Sequence, residues 1–167
     1  MRQQEPKQEE TLARTARKRA IDEGAETQTP NGEAAVRAAT NEPLDESVVA
    51  ALGAADDKKA LDMVVLDVRE VASFTDYFLI ASGTSTRQVQ AIADEVVERL
   101  KSAGRRAARV EGYRNAEWVL IDFGDFVFHI FEDKARRFYD LERLWRDAAR
   151  VELPRDFTAP PEKRAEQ

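Results

Sequence analysis

The sequence predicts an α/β fold in which a mixed sheet of about five strands carries helices packed on it. Three observations predict it. Residues 118–131, WVLIDFGDFVFHIF, form the most apolar and β-prone stretch of the chain, interrupted only at Asp122, Gly124 and Asp125, which is the pattern of a β-hairpin. Residues 82–104 pass from a strand into a helix with a clear start and stop. Short apolar runs around these two give the order α-β-β-α-β-β-β-α, with no internal repeat.

From Met1 to about Pro43 the chain is Glu, Gln, Ala, Arg and Thr with almost no large apolar residue. Such a stretch buries too little surface to offset its ordering entropy, so residues 1–43 are expected to be a disordered extension. Acids interrupt it too often for an organelle transit peptide. Order is expected over residues 44–153, followed by a flexible tail over 154–167. Asp45 is a good N-cap, after which Val48, Val49, Leu52 and Ala55 recur at helical spacing. Residues 63–68 (MVVLDV) and 77–81 (YFLIA) read as buried strands joined by a loop.

Ser85 with Gln88 three residues on makes a capping box. Val89, Ile92, Ala93, Val96, Val97 and Leu100 then form an inward stripe that Gly104 ends. Residues 107–111 read as a strand, parallel to the one before the helix by the crossover rule. In the hairpin, a two-residue turn at Gly124 and Asp125 pairs Phe123 with Phe126, Ile121 with Phe128 and Val119 with Ile130. A four-residue turn from Asp122 to Asp125 would instead pair Ile121 with Phe126. The first register leaves one wholly apolar face; the other carries Trp118, Leu120, Asp122, Val127, His129 and Phe131 and reads as a contact surface. A last helix, capped by Asp133, is expected to turn Phe138, Leu141, Leu144, Trp145 and Ala148 inward and to end before Pro154.

Composition excludes several chemistries. The 167 residues include no cysteine and one histidine, which removes disulfides, thiol catalysis and multi-histidine metal sites. No apolar run reaches membrane-spanning length and no secretory signal opens the chain, so a soluble, cytoplasmic protein is expected. The net charge is -6, and the expected folded part is mildly acidic. The short basic runs at Arg105, Arg106, Arg109 and at Arg136, Arg137 read as solvated faces, not as a phosphate-binding stripe, so no direct sequence-specific nucleic-acid binding is expected. Residues 83–87 (GTSTR) suit either plain helix capping or an anion at a helix N-terminus, without the length or lysine of a P-loop. Asp122 and Asp125 straddle a turn and do not make a metal-binding pair. His129, alone on a strand, reads as structural. No catalytic constellation, metal site or cofactor site emerges.

DYFLIASGTSTRQVQAIAD, RVEG, WVLIDFGDFVFHIF and YDLERLW, in that order from Asp76 to Trp145, resemble the ribosomal silencing factor family, also called Iojap-like proteins. The resemblance implies a nucleotidyltransferase-like α/β fold without transferase activity. It implies binding to the large ribosomal subunit, at its protein number fourteen, which blocks joining of the small subunit when nutrients run out. On that reading the mixed face and tip of the hairpin carry the contact, with Trp118 as anchor and Leu120, Phe123, Arg114 and Asn115 around it; failing that, the contact falls on the last helix around Tyr139 and Glu142. The alternative for Trp118 is packing under the last helix. The family usually reads S-x-R-H-V where this chain has Ser85, Thr86, Arg87, Gln88 and Val89, so any role of that histidine passes to Gln88 or is absent. Two rival readings, a nucleotide-binding nucleotidyltransferase and a dimerisation or scaffold module, predict magnesium-dependent nucleotide binding near Gly83 and self-association without ribosomes, respectively. The chain is expected to be a monomer or a homodimer.

Overall fold

The structure, a computed structural model, describes residues 43–158. The expected disordered extension falls outside them, apart from Pro43. Asp45 caps the first helix, α1 (Glu46–Asp57), by accepting the Ser47 N–H at 2.8 Å. Strands β1 (Leu61–Asp67) and β2 (Tyr77–Gly83) follow, then the 17-residue helix α2 (Thr86–Ser102). Strand β3 (Arg109–Glu111) leads to the hairpin β4 (Trp118–Asp122) and β5 (Phe126–Glu132). Two short helices, α3 (Asp133–Tyr139) and α4 (Leu141–Leu144), precede β6 (Ala149–Arg150) and the one-turn helix α5 (Arg155–Thr158).

The described strands form one mixed sheet in the order β3-β4-β5-β2-β1-β6. The hairpin takes the two-residue turn: Val119 faces Ile130, Ile121 faces Phe128, and the Phe123 N–H donates to the Phe126 carbonyl at 3.0 Å. Gly124 supplies the required positive φ of 92°. Strand β2 pairs in parallel with β5, while β1–β2, β1–β6, β3–β4 and β4–β5 are antiparallel. It follows that β3 does run parallel to β2, as the crossover rule expects, but β5 and β4 lie between them.

Both faces of the sheet are covered. On one, Val48, Ala51, Leu52 and Ala55 of α1 and Val89, Ile92, Val96 and Leu100 of α2 pack on Val65, Leu79, Val119, Ile121, Phe128 and Ile130. On the other, Ala135, Leu141, Trp145 and Ala148 close over Leu66, Phe78, Ile80, Trp118, Leu120, Val127 and Phe131. The mixed hairpin face is therefore a second core, which corrects its reading as a free contact surface.

The cover over this face also departs from the single helix expected there. Asp140 adopts left-handed φ 46°, ψ 54° and breaks the helix into α3 and α4. Leu141, Trp145 and Ala148 turn inward as expected, but Phe138 is 81% exposed and Leu144 faces solvent. After α4 the chain adds β6 to the free edge of β1, so the sheet has six strands in place of about five. Asp133 is the first residue of α3, not its cap, and pairs with Arg137. In the first helix Val49 points outward, while Ala51 and Ala54 join the buried stripe. The tail expected from Pro154 likewise gives way to α5, whose Phe157 packs against the α1–α2 core.

Candidate functional site

Three neighbouring strands stop level at one end of the sheet. Gly83 of β2 pairs with Glu132 of β5, and the Glu132 N–H donates to the Glu117 carbonyl just before β4, at 2.8 Å. From this end emerge the start of α2, the loop 112–117 and helix α3. It is the carboxyl end of the two parallel strands, where open α/β sheets place their ligands.

The α2 corner is occupied by the protein's own groups. The Ser85 hydroxyl accepts the Gln88 N–H at 3.1 Å, and Gln88 Oε1 accepts the Thr84 N–H at 2.7 Å and the Thr84 hydroxyl at 3.0 Å. The reciprocal arm of the capping box thus reaches Thr84, one residue earlier than the standard pattern. Gln88 Nε2 also donates to the Lys58 and Lys59 carbonyls at 3.2 and 3.0 Å, fastening the end of α1 to the start of α2. Gly83 has a packing reason: a Cβ there would lie 3.1 Å from a Val89 methyl and 3.2 Å from the Val89 nitrogen. These bonds match the capping reading of residues 83–87. The hairpin-turn acids are engaged too: Asp122 accepts the Gly124 N–H at 2.8 Å, and Asp125 pairs with Arg105.

The loop 112–117 is held in place. Gln90 Nε2 donates to the Tyr113 carbonyl at 3.0 Å, and the Tyr113 hydroxyl donates to Asp94 at 3.1 Å, which raises the Tyr113 pKa. Ala116 is fully buried with a positive φ of 57°, a conformation that costs a non-glycine residue on the order of 1 kcal/mol. Arg114 is displayed to solvent from this pinned loop, with Asn115 half-buried beside it.

Trp118, expected as an exposed anchor, is only 2% exposed. Its indole N–H donates to His129 Nδ1 at 3.1 Å, and its ring lies 4.9 Å from that of Phe131 and 5.0 Å from that of Tyr139. It supports the surface from below. His129 is enclosed by Phe78, Trp118 and Phe131; burial lowers its pKa from 6.5 to about 3, so the imidazole is neutral near pH 7.

The other predicted contact residues divide. Tyr139 is half-buried on α3 and lies against Trp118, the first residue of β4 after the loop 112–117. Leu120 lies in the second core at 6% exposure. Phe123 stacks on Phe126 in the first core, on the opposite face and at the far end of β4, about 16 Å away at roughly 3.3 Å per residue. Glu142 holds Arg136 at 2.8 Å and Arg150 at 3.0 Å. Arg136, 12% exposed, also donates to the Ser82 hydroxyl at 2.8 Å. This network ties the α3–α4 break to β2. The basic runs are partly spent in the same way: Arg105 on Asp125, Arg109 on Glu111 and Asp122, Arg136 on Glu142. Sequence reasoning missed the exposed Phe138, and the signal for it was Asp140, a residue that tolerates the left-handed region, two positions later.

The fold and site define a small α/β module whose turn acids, glycine turn and buried histidine are all committed to structure. The profile of the family described as ribosomal silencing factor during starvation, RsfS, matches residues 41–167. A ribosomal silencing factor RsfS of Halalkalibacterium halodurans is 48% identical over 103 residues, 62% of this chain and 88% of that protein. A mouse protein named mitochondrial assembly of ribosomal large subunit protein 1 is 36% identical over 91 residues, 53% of this chain and 40% of that protein. The crystal structure of a Chromobacterium violaceum protein, 34% identical, superposes with a TM-score of 0.61 over 74% of this chain and 99% of that one. The chain belongs to the ribosomal silencing factor family.

Proposed function

We propose that this chain binds the large ribosomal subunit through its protein number fourteen and blocks joining of the small subunit, repressing translation when nutrients run out. The observation that carries this reading is the family match, which spans residues 41–167 and so includes the whole described fold. The mouse relative's name, which refers to assembly of the large subunit, agrees with that subunit as the partner. On this reading the contact surface lies at the level strand ends, with Arg114, Asn115 and Tyr139 facing the partner and Trp118 supporting Tyr139 from beneath. The rival nucleotidyltransferase reading is disfavoured because Asp122 and Asp125 already bond to Gly124 and Arg105, and Gly83 is needed for close packing on Val89.

Sedimentation through a sucrose gradient tests the proposal. The chain is expected to travel with purified large subunits and not with small ones. Retention at the top of the gradient as a self-associated species would favour the scaffold reading, and micromolar, magnesium-dependent binding of ATP or CTP would favour the nucleotidyltransferase reading.

A further inference from the structure

Phe138 is the most exposed of the large hydrophobic side chains in the described residues, at 81%, against 45% for Leu144 and 41% for Val110 and Tyr113. Its exposure is not what the local sequence favours. In one unbroken helix Phe138 would share an inward stripe with Leu141, Trp145 and Ala148. The chain instead breaks at Asp140 in a left-handed conformation, which aspartate tolerates better than most residues with a Cβ. Arg136 spans the break by binding Glu142 on one side and Ser82 on the other. Leu141, Trp145 and Ala148 go into the core, and the phenyl ring is left outside.

The ring also stands on a firm base. Phe138 meets Tyr139 edge-on at 5.1 Å, Tyr139 lies 5.0 Å from Trp118, and Trp118 stacks on Phe131 at 4.9 Å. This column rises from the sheet at the end that also displays Arg114. Little ordering remains to be done on binding, which is what makes an aromatic side chain an effective anchor. Lys134 lies four residues earlier in α3, on the same helix face as Phe138, and the Arg137 side chain, although paired with Asp133 one turn back, is 71% exposed.

We propose that Phe138 is the anchor by which this chain docks on a protein of the large subunit, entering an apolar pocket there while Lys134 and Arg137 meet acceptor groups on its rim. The inference rests on the reading of the chain as a large-subunit binder and adds the residue and the chemistry of the pocket. A protein pocket fits better than an RNA base because the chain carries a net charge of -6 and Arg136, two residues from Phe138, is spent on Glu142 and Ser82, both unfavourable for a phosphate-lined surface.

The test uses the full chain and purified large subunits, with Phe138→Asp, Phe138→Leu and Phe138→Trp variants. Phe138→Asp is expected to weaken subunit binding by roughly 10- to 100-fold with no change in melting temperature, and Phe138→Leu to keep most of the affinity, since a pocket accepts an aliphatic side chain. Equal binding by Phe138→Asp and wild type would overturn the anchor and leave the ribosomal reading standing. Loss in Phe138→Leu with retention in Phe138→Trp, together with binding to protein-free large-subunit RNA, would replace the pocket by a stacked base. Conversion of a dimer to a monomer by Phe138→Asp, with subunit binding intact, would assign the surface to a second copy. Absence of binding by the wild-type chain would remove the ribosomal reading and the anchor together.

Discussion

Trp118→Ala is expected to lose roughly 3 to 5 kcal/mol of folding stability, the range for removing a large aromatic from a packed core. The indole sits beneath the α3–α4 cover in contact with Phe131, Tyr139 and His129, and its N–H fills the His129 Nδ1 acceptor. Truncation removes that packing and leaves an imidazole without its donor. Tyr139 and, through it, Phe138 would lose their support, so subunit binding should fall as a consequence of the damage below. Urea denaturation followed by circular dichroism measures the loss. A variant within about 1 kcal/mol of wild type would mean that the second face is not a tightly packed core.

Acid is expected to destabilise the fold through a single side chain. His129 has a folded pKa of about 3 against an ordinary 6.5, because burial penalises the imidazolium. Its folded pKa is depressed, so below pH 6.5 the unfolded chain binds a proton that the folded chain excludes. The stabilising effect is therefore complete above pH 6.5 and is lost as pH falls toward 3, at up to roughly 1.4 kcal/mol per unit and roughly 2 kcal/mol by pH 5. His129 is the chain's only histidine, which separates this window from the titration of carboxylates at lower pH. Stability measured from pH 7 to pH 5 should fall for the wild type. In His129→Phe the slope should flatten, although the whole curve shifts down because the Trp118 N–H loses its acceptor. An equal slope in the two proteins would place the acid-sensitive group elsewhere.

What could be read from the sequence was encoded locally. The hairpin register follows from Gly124 in a two-residue turn, and the limits of α2 from Ser85, Gln88 and Gly104. What could not be read depends on partners far along the chain. The stripe from Phe138 to Ala148 suits a continuous helix equally well. The break at Asp140 is held in part by Arg136 reaching Ser82, 54 residues away in sequence. Once the chain turns back, the mixed hairpin face is covered, and Trp118 and Leu120 change from candidate contacts to core. A two-residue strand such as β6 has no local signature; it exists because β1 offers a free edge. Gln88 shows both levels at once: its role as a cap was local and legible, whereas its bonds to the Lys58 and Lys59 carbonyls were not.

The central proposal is that this chain prevents the two ribosomal subunits from joining. Light scattering tests it directly: purified large subunits are incubated with the chain, small subunits and magnesium are added, and the rise in scattering is followed. The expected result is a joined fraction that falls with increasing chain and recovers when Phe138→Asp replaces it. Joining at the full rate and extent, with wild-type chain shown to be bound to the large subunits, would contradict it.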